Sequence, residues 1–466
     1  MSPEVESTSV AGVESSLLLP DLNFSASGHL YGTHGLHPFA ARCPPPLVRW
    51  AIERYSTASD LIVDPMCGSG TTIVEALLAG RAAASADIDP LARLITHAKV
   101  ATVDPAVLFY LADRVERLTT QADLDDGWRP QIHNLDKWFH KDVSRDLAAL
   151  RVAIARFAPE HAYERNVAWV VFSSLIVART SVANARDLVH SRHHLREWQQ
   201  PPDVIGRFVR QLRRAGRLHE EYSRLLVNAG ATGRSFVSAG VDARGLDLKD
   251  NAASLVFTSP PYCSALDYTR AHIFAVSWLA DILGISTQQY RAMGPRYVGS
   301  ERAPLAEASR CQPFPPVTGH DGVDEVVAAL VSDRKRAWIV YRYFADMGAV
   351  LKECARIIKP GGHVIMVVCP SNIRKVRVPT HELFAEIAPT VSGGELHVEQ
   401  TYERTIHDHR RVMPYIESAF GERMRTEYVV VLRKRLAAQS IIRNLDGAGS
   451  TAIISGRAIE VNDTIA

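Results

Sequence analysis

Apolar positions along this chain switch between two spacings. In residues 44–55 they fall at helical intervals (Leu47, Val48, Ala51, Ile52, Tyr55) behind a proline-rich start, which predicts a helix. Leu61, Ile62 and Val63 form a short apolar run ended by Asp64 and Pro65, the pattern of a buried strand. Residues 72–79 return to helical spacing and Gly80 closes them. Residues 81–86 predict a second strand. Asp89 before Pro90 predicts an N-cap and first helical position, opening a helix to about residue 99. Residues 101–232 break the alternation, with helical patterns at 145–157, 165–180 and 202–226 and no convincing strand. Alternation resumes with strands at 235–239 and 252–258 and a helix at 340–358. That helix closes on Lys359-Pro-Gly-Gly362, followed by strands at 363–369 and 427–432. Such a pattern predicts an α/β domain carrying a helical insertion.

Composition adds limits. The 466 residues are 47% hydrophobic and 22% charged, values of a soluble globular protein. A net charge of +2 provides no global basic field. Arginine outnumbers lysine, which suits bidentate phosphate or guanine contacts and is equally expected from a GC-biased genome. No two of the six cysteines have C-x-x-C spacing, so neither a zinc site nor a disulfide framework is indicated. The N-terminus lacks the basic and apolar regions of a signal peptide, and the apolar run at 167–178 is interrupted by two serines. A cytoplasmic chain with no membrane partner is expected.

Two loops carry candidate chemistry. Thr258-Ser-Pro-Pro-Tyr262 leaves a predicted strand through consecutive prolines, each with fixed φ and no N–H. A stiff loop with free carbonyls and an aromatic tip suits a planar base held by its exocyclic amine. By itself it reads equally well as a proline-rich strand cap. Asp64-Pro-Met-Cys-Gly-Ser-Gly-Thr-Thr72 lies between strand and helix, where a ligand can approach exposed N–H groups. It lacks the Gly-Lys-Ser/Thr ending of a triphosphate loop, and Ile73 stands where a dinucleotide fingerprint has its third glycine. Asp87, ending the next strand, has the position that binds ribose hydroxyls in such folds; its plain reading is a solvated turn residue.

Together these pieces resemble bacterial DNA amino-methyltransferases that use S-adenosylmethionine. Asp64–Thr72 is similar to their motif I, D-P-F-C-G-S-G-T, with Met66 replacing Phe, and Thr258–Tyr262 to motif IV in its T-S-P-P-Y form. His37-Pro-Phe-Ala-Ala-Arg42 looks like motif X, Gly240-Val-Asp-Ala-Arg244 like motif III, and Arg356-Ile-Ile-Lys-Pro-Gly-Gly362 like the helix-to-strand turn beyond the catalytic loop. The resemblance implies a Rossmann-like methyltransferase fold, a mostly parallel seven-stranded sheet with helices on both faces. Composition, pattern and resemblance together divide the chain into a flexible, Ser/Glu-rich arm at 1–29, a cofactor-binding half at 30–100 and a helical insertion at 101–232 as a candidate target-recognition region. A catalytic half at 233–436 and a tail at 437–466 complete the division.

The implied cofactor-binding residues are His37, Phe39, Asp64, Pro65, Met66, Cys67, Gly68, Ser69, Gly70, Thr71, Asp87, Ile88, Asp242, Ala243 and Thr258. The implied catalytic residues are Ser259, Pro260, Pro261 and Tyr262, acting on a base flipped out of double-stranded DNA. Ser259 at the head of the loop favours cytosine N4, adenine N6 being the alternative. An RNA guanine-N2 enzyme and a catalytically silent DNA-binding subunit are further readings. Cytosine-C5 chemistry is disfavoured because its thiolate nucleophile sits in a Pro-Cys dipeptide, absent here. Candidate DNA contacts are Arg186, Arg192, Arg270, His272, Arg410 and Arg411, each also readable as a solvated charge. His407 and His409 lack a third ligand group nearby, so no metal is expected. Restriction or defence-system subunits are the further partners implied, in a nucleoid-associated bacterial or archaeal setting.

Overall fold

The chain builds a seven-stranded sheet whose strand order reverses direction at its centre. The computed structural model describes residues 22, 30–39, 42–118, 127–157, 159–177, 181–183, 201–263, 267–302, 305–315, 317–405 and 426–436. The strands are β1 (Leu61–Asp64), β2 (Ala82–Ser85), β3 (Phe236–Ser238), β4 (Ala253–Thr258), β5 (Ile358–Val368), β8 (Leu396–Thr405) and β9 (Thr426–Lys434). A separate two-stranded hairpin pairs β6 (Ser371–Ile373) with β7 (Val376–Val378). In the large sheet the order is β3-β2-β1-β4-β5-β9-β8. Neighbours from β3 to β5 are parallel, and β9 runs antiparallel to both β5 and β8. The chain winds outward from β1 through β2 to β3, then returns to add β4 on the other side. Carboxyl ends of β1 and β4 therefore flank a crevice at the switch point. This is the Rossmann-like arrangement expected.

Both faces of the central strands are buried, as parallel strands require. On one face Ile62, Leu255, Phe257 and Ile365 pack with Leu47, Val48 and Ile52 of α1 (Pro45–Tyr55) and Ile73 of α2 (Thr71–Leu78). On the other, Val63, Val256, Val364 and Met366 meet α13 (Arg334–Ile357) and α14 (Thr380–Val391). Asp89 caps α3 (Pro90–Val100) by accepting from Leu91 N, with Pro90 at the first position.

Between α3 and β3 the described residues hold only helices: α4 (Pro105–Leu118), α5 (Leu135–Trp138), α6 (Lys141–Ala155), α7 (Ala162–Val177), α8 (Val204–Asn228) and a short 3-10 turn. Their core is continuous with Leu91 and Ile95 of α3, Phe274 and Trp278 of α9 (Tyr268–Trp278), and Tyr290 of α10 (Thr287–Ala292). Helix α7 is apolar almost all round and buried, the signature of an interior helix. Short helices α11 (Leu305–Arg310) and α12 (Asp321–Ala329) lead into α13.

The sequence pattern and the structure differ in places. Helix α13 starts at Arg334, where Asp333 accepts from Arg336 N, rather than at residue 340. Lys359-Pro-Gly-Gly362 is a bulge inside β5, because Ile358 pairs with Ala253 and His363 with Leu255. A Cβ on Gly362 would stand 2.8 Å from Ser254 O, so the bulge needs that glycine.

Candidate active site

The glycine loop leaves β1 at Asp64 and enters α2 at Thr71. Gly68 and Gly70 have φ of +49° and +75°, which favour glycine. A Cβ on Gly70 would lie 2.7 Å from Thr96 Oγ1 of α3, and one on Gly68 would lie 3.2 Å from the Phe39 ring. The loop is fastened by Asp87, whose Oδ2 accepts from Gly68 N at 2.8 Å while Oδ1 accepts from Asp89 N at 2.8 Å. Burial, followed by the charge of Asp89, pushes the Asp87 carboxyl up to about 7. Burial likewise pushes Asp64 up to about 6, opposed by the hydroxyls of Thr72 and Thr258 and by Met66 N.

Beyond the loop lies a cleft of about 890 Å³, its open mouth included. Of the expected cofactor residues, Phe39, Asp64 to Ser69, Thr71, Asp87, Ile88, Asp242 and Ala243 line it. So do Ser259 and Pro261, bringing the proline loop and the glycine loop to one cavity. The acid Asp242 is gripped by Arg244, with Nε and Nη2 at 2.9 and 2.8 Å, and Arg244 also donates to Asp346 at 2.8 Å. Hydrogen bonding from Arg244 holds the Asp242 carboxyl below its usual range.

His37, Gly70, Thr258, Pro260 and Tyr262 do not line this cavity. His37 is 1% exposed, with Nε2 2.9 Å from Ser173 Oγ of α7. Thr258 is wholly buried at the end of β4. Tyr262 donates its hydroxyl to Glu427 Oε1 at 2.6 Å, and Glu427 Oε2 accepts from Arg404 at 2.6 Å. The phenol is thus held from β9.

His272 requires correction as a DNA contact. It is 1% exposed and its Nδ1 lies 2.9 Å from Asp89 Oδ2, which also accepts from Tyr290 OH at 2.9 Å. The pair joins α9 and α10 to the end of β2, out of reach of a DNA backbone. Arg270 is exposed. Arg186, Arg192, Arg410 and Arg411 lie outside the described residues.

Other lining residues escaped sequence reasoning. Asp89 was legible only as a helix cap, and Arg244 ended the Gly240–Arg244 motif without an assigned role. Tyr268, stacked on Phe39 with centroids 5.9 Å apart, follows the proline loop closely enough to have been found. Arg296, Tyr297 and Val298 come from a short turn that carries no motif.

Residues 19–96 match a family described as DNA methylase. Over 374 residues, 76% of this chain and 80% of the relative, the protein is 22% identical to the type II methyltransferase M.MvaI of Kocuria varians. The family match and the relative together support the DNA amino-methyltransferase family that the sequence motifs resemble. The chain is also 37% identical to the type II methyltransferase M.MjaII of Methanocaldococcus jannaschii over 71 residues, 15% of this chain and 13% of that protein. Among solved structures, the rRNA methyltransferase aviRa of Streptomyces viridochromogenes aligns over 88% of this chain and 90% of its own chain. Identity there is 10%, with a TM-score of 0.32. No single helix among the described residues is long and apolar enough to cross a membrane.

Proposed function

We propose that the protein transfers a methyl group from S-adenosylmethionine to cytosine N4 of a base flipped out of duplex DNA. The observation that carries this reading is the single cleft shared by the glycine loop, its acids and Ser259 with Pro261. The lining fits the cofactor chemically. Asp64, Asp87 and Asp242 offer carboxylates to a cationic, hydroxyl-bearing ligand, and Phe39 and Tyr268 offer aromatic surface. When bound, S-adenosylmethionine supplies an electrophilic methyl group on a cationic sulfur. Asp87 would accept from the ribose hydroxyls and Asp242 from the adenine amine.

The target amine is a poor nucleophile because its lone pair is delocalised into the ring. Ser259 Oγ and the Pro260 carbonyl would accept its two N–H bonds, favouring the pyramidal nitrogen needed for attack. Pro261 stiffens the loop. Tyr262 would stack on the base, with Glu427 fixing the angle of its ring. Catalysis then rests on alignment and on electrostatics prepared in advance. Serine at the head of the loop favours cytosine over adenine.

The test is expression in a methylation-free host, followed by DNA sequencing that separates N4-methylcytosine from N6-methyladenine. N4-methylcytosine at a recurring site is expected. N6-methyladenine would overturn the base assignment, and methylated RNA with unmarked DNA would overturn the whole reading.

A further inference from the structure

The β6–β7 hairpin stands beside the proline loop. Strands β4 and β5 are parallel, with Thr258 opposite Met366, so the hairpin leaves β5 at the same sheet edge where Ser259 leaves β4. Ser371 Oγ then donates to Cys263 O at 3.3 Å, fastening the start of the hairpin one residue past Tyr262. Ile373 and Val378 are buried in the same core as Cys263. The outward residues Asn372, Arg374, Lys375 and Arg377 are exposed.

The turn itself is Arg374-Lys375, with φ of +53° and +67°. Two-residue turns with positive φ at both centres favour Asn-Gly, because a Cβ is disfavoured in the left-handed region. Two long cations occupy a turn whose backbone would be more stable without them, and such outliers mark functional positions. Arg374 Nε is 2.9 Å from Asp333 Oδ2 and Arg377 Nη2 is 3.6 Å from Glu382 Oε1, with the arginine side chains 58% and 67% exposed. Exposed pairs of this kind are weak and can be exchanged for another anion. Lys375 has no ion pair among the described residues.

We propose that this hairpin is a phosphate clamp, in which Arg374, Lys375 and Arg377 hold the backbone of duplex DNA next to the base delivered to Tyr262. The proposal rests on the reading of the neighbouring cleft as the site of DNA methylation. Its contacts are to phosphates, so it sets register and affinity rather than sequence preference.

The test uses the full-length protein with Arg374→Asn, Lys375→Gly and Arg377→Gln combined. Asn-Gly suits the turn, so the melting temperature should match or exceed that of the parent while the three cations are gone. Binding of a labelled random-sequence duplex should weaken roughly 10–100-fold at low salt, and the slope of log affinity against log salt should fall by about 0.9 for each phosphate no longer neutralised. Affinity for S-adenosylmethionine should not change. Methylation of plasmid from a methylation-free host should lose through KM for DNA, with kcat at saturating DNA within about twofold of the parent. A folded triple variant with parental DNA affinity and salt slope overturns the clamp. A parent protein that methylates RNA and leaves DNA unmarked overturns the functional reading instead, so the two failures are distinct.

Discussion

Asp87 shows how one side chain can both fasten a loop and face a cleft. It accepts from two backbone amides, yet lines the cleft. Its carboxyl, at about 7, and that of Asp64, at about 6, lie above their unfolded values near 3.9. Protons are therefore bound more tightly in the folded state. The stability these two groups contribute is complete below about pH 4 and lost as pH rises through 6 and 7. A cationic ligand reverses the preference by favouring both ionised forms. Affinity for S-adenosylmethionine should thus rise from pH 5.5 to 8, by roughly tenfold for each carboxylate engaged. Calorimetric titration across that range would test it; a flat profile would mean that neither acid ionises when the ligand binds. Asp87→Ala should weaken cofactor binding roughly 10–100-fold, about 1.4–2.7 kcal/mol. Tyr262→Ala should abolish methyl transfer in a radiolabel assay while leaving cofactor affinity intact. Full activity in that variant would take the ring out of the mechanism.

At the scale of elements, a single buried acid ties four together. Asp89 caps α3, ends the turn after β2, and receives His272 from α9 and Tyr290 from α10. Asp89→Ala would leave a buried histidine and phenol without their acceptor, so a loss of about 3–5 kcal/mol is expected in urea unfolding. A loss below about 1 kcal/mol would mean that water or another acceptor replaces it.

The cap itself was readable from Asp89-Pro90, because capping is local. Its long-range partners were not, since a histidine about 180 residues away carries no mark of its acceptor. Strand β8 was missed for a related reason. Along Leu396–Thr405 only Leu396, Tyr402 and Arg404 are buried, so an edge strand rich in polar residues shows almost no alternation. The proline loop and glycine loop were legible because their backbone geometry is one that few residues can adopt.

On the scale of the whole molecule, the helical block at 101–232 is bound into the α/β half. Its apolar core runs into α3 and α9. Arg151 lies 3.5 Å over the Trp128 ring and pairs with Asp281, and Arg214 donates to Gly35 O at 2.8 Å. A chain lacking residues 105–228 should therefore be insoluble or lack cooperative thermal unfolding. A soluble truncated chain that still binds S-adenosylmethionine would show instead that the block is a separable domain.

The amino-acid order alone determined the strand–helix alternation, the two loops and the family they resemble. Each of these is written in short-range periodicity or in residues with restricted φ. Only the tertiary structure decided that β1 and β4 are neighbours, which makes one cleft of loops almost two hundred residues apart. It also turned His272 inward, tied Tyr262 to β9 and set a basic hairpin against the proline loop. Such placements follow from strand order and side-chain packing across the sheet, and no local pattern of residues encodes them.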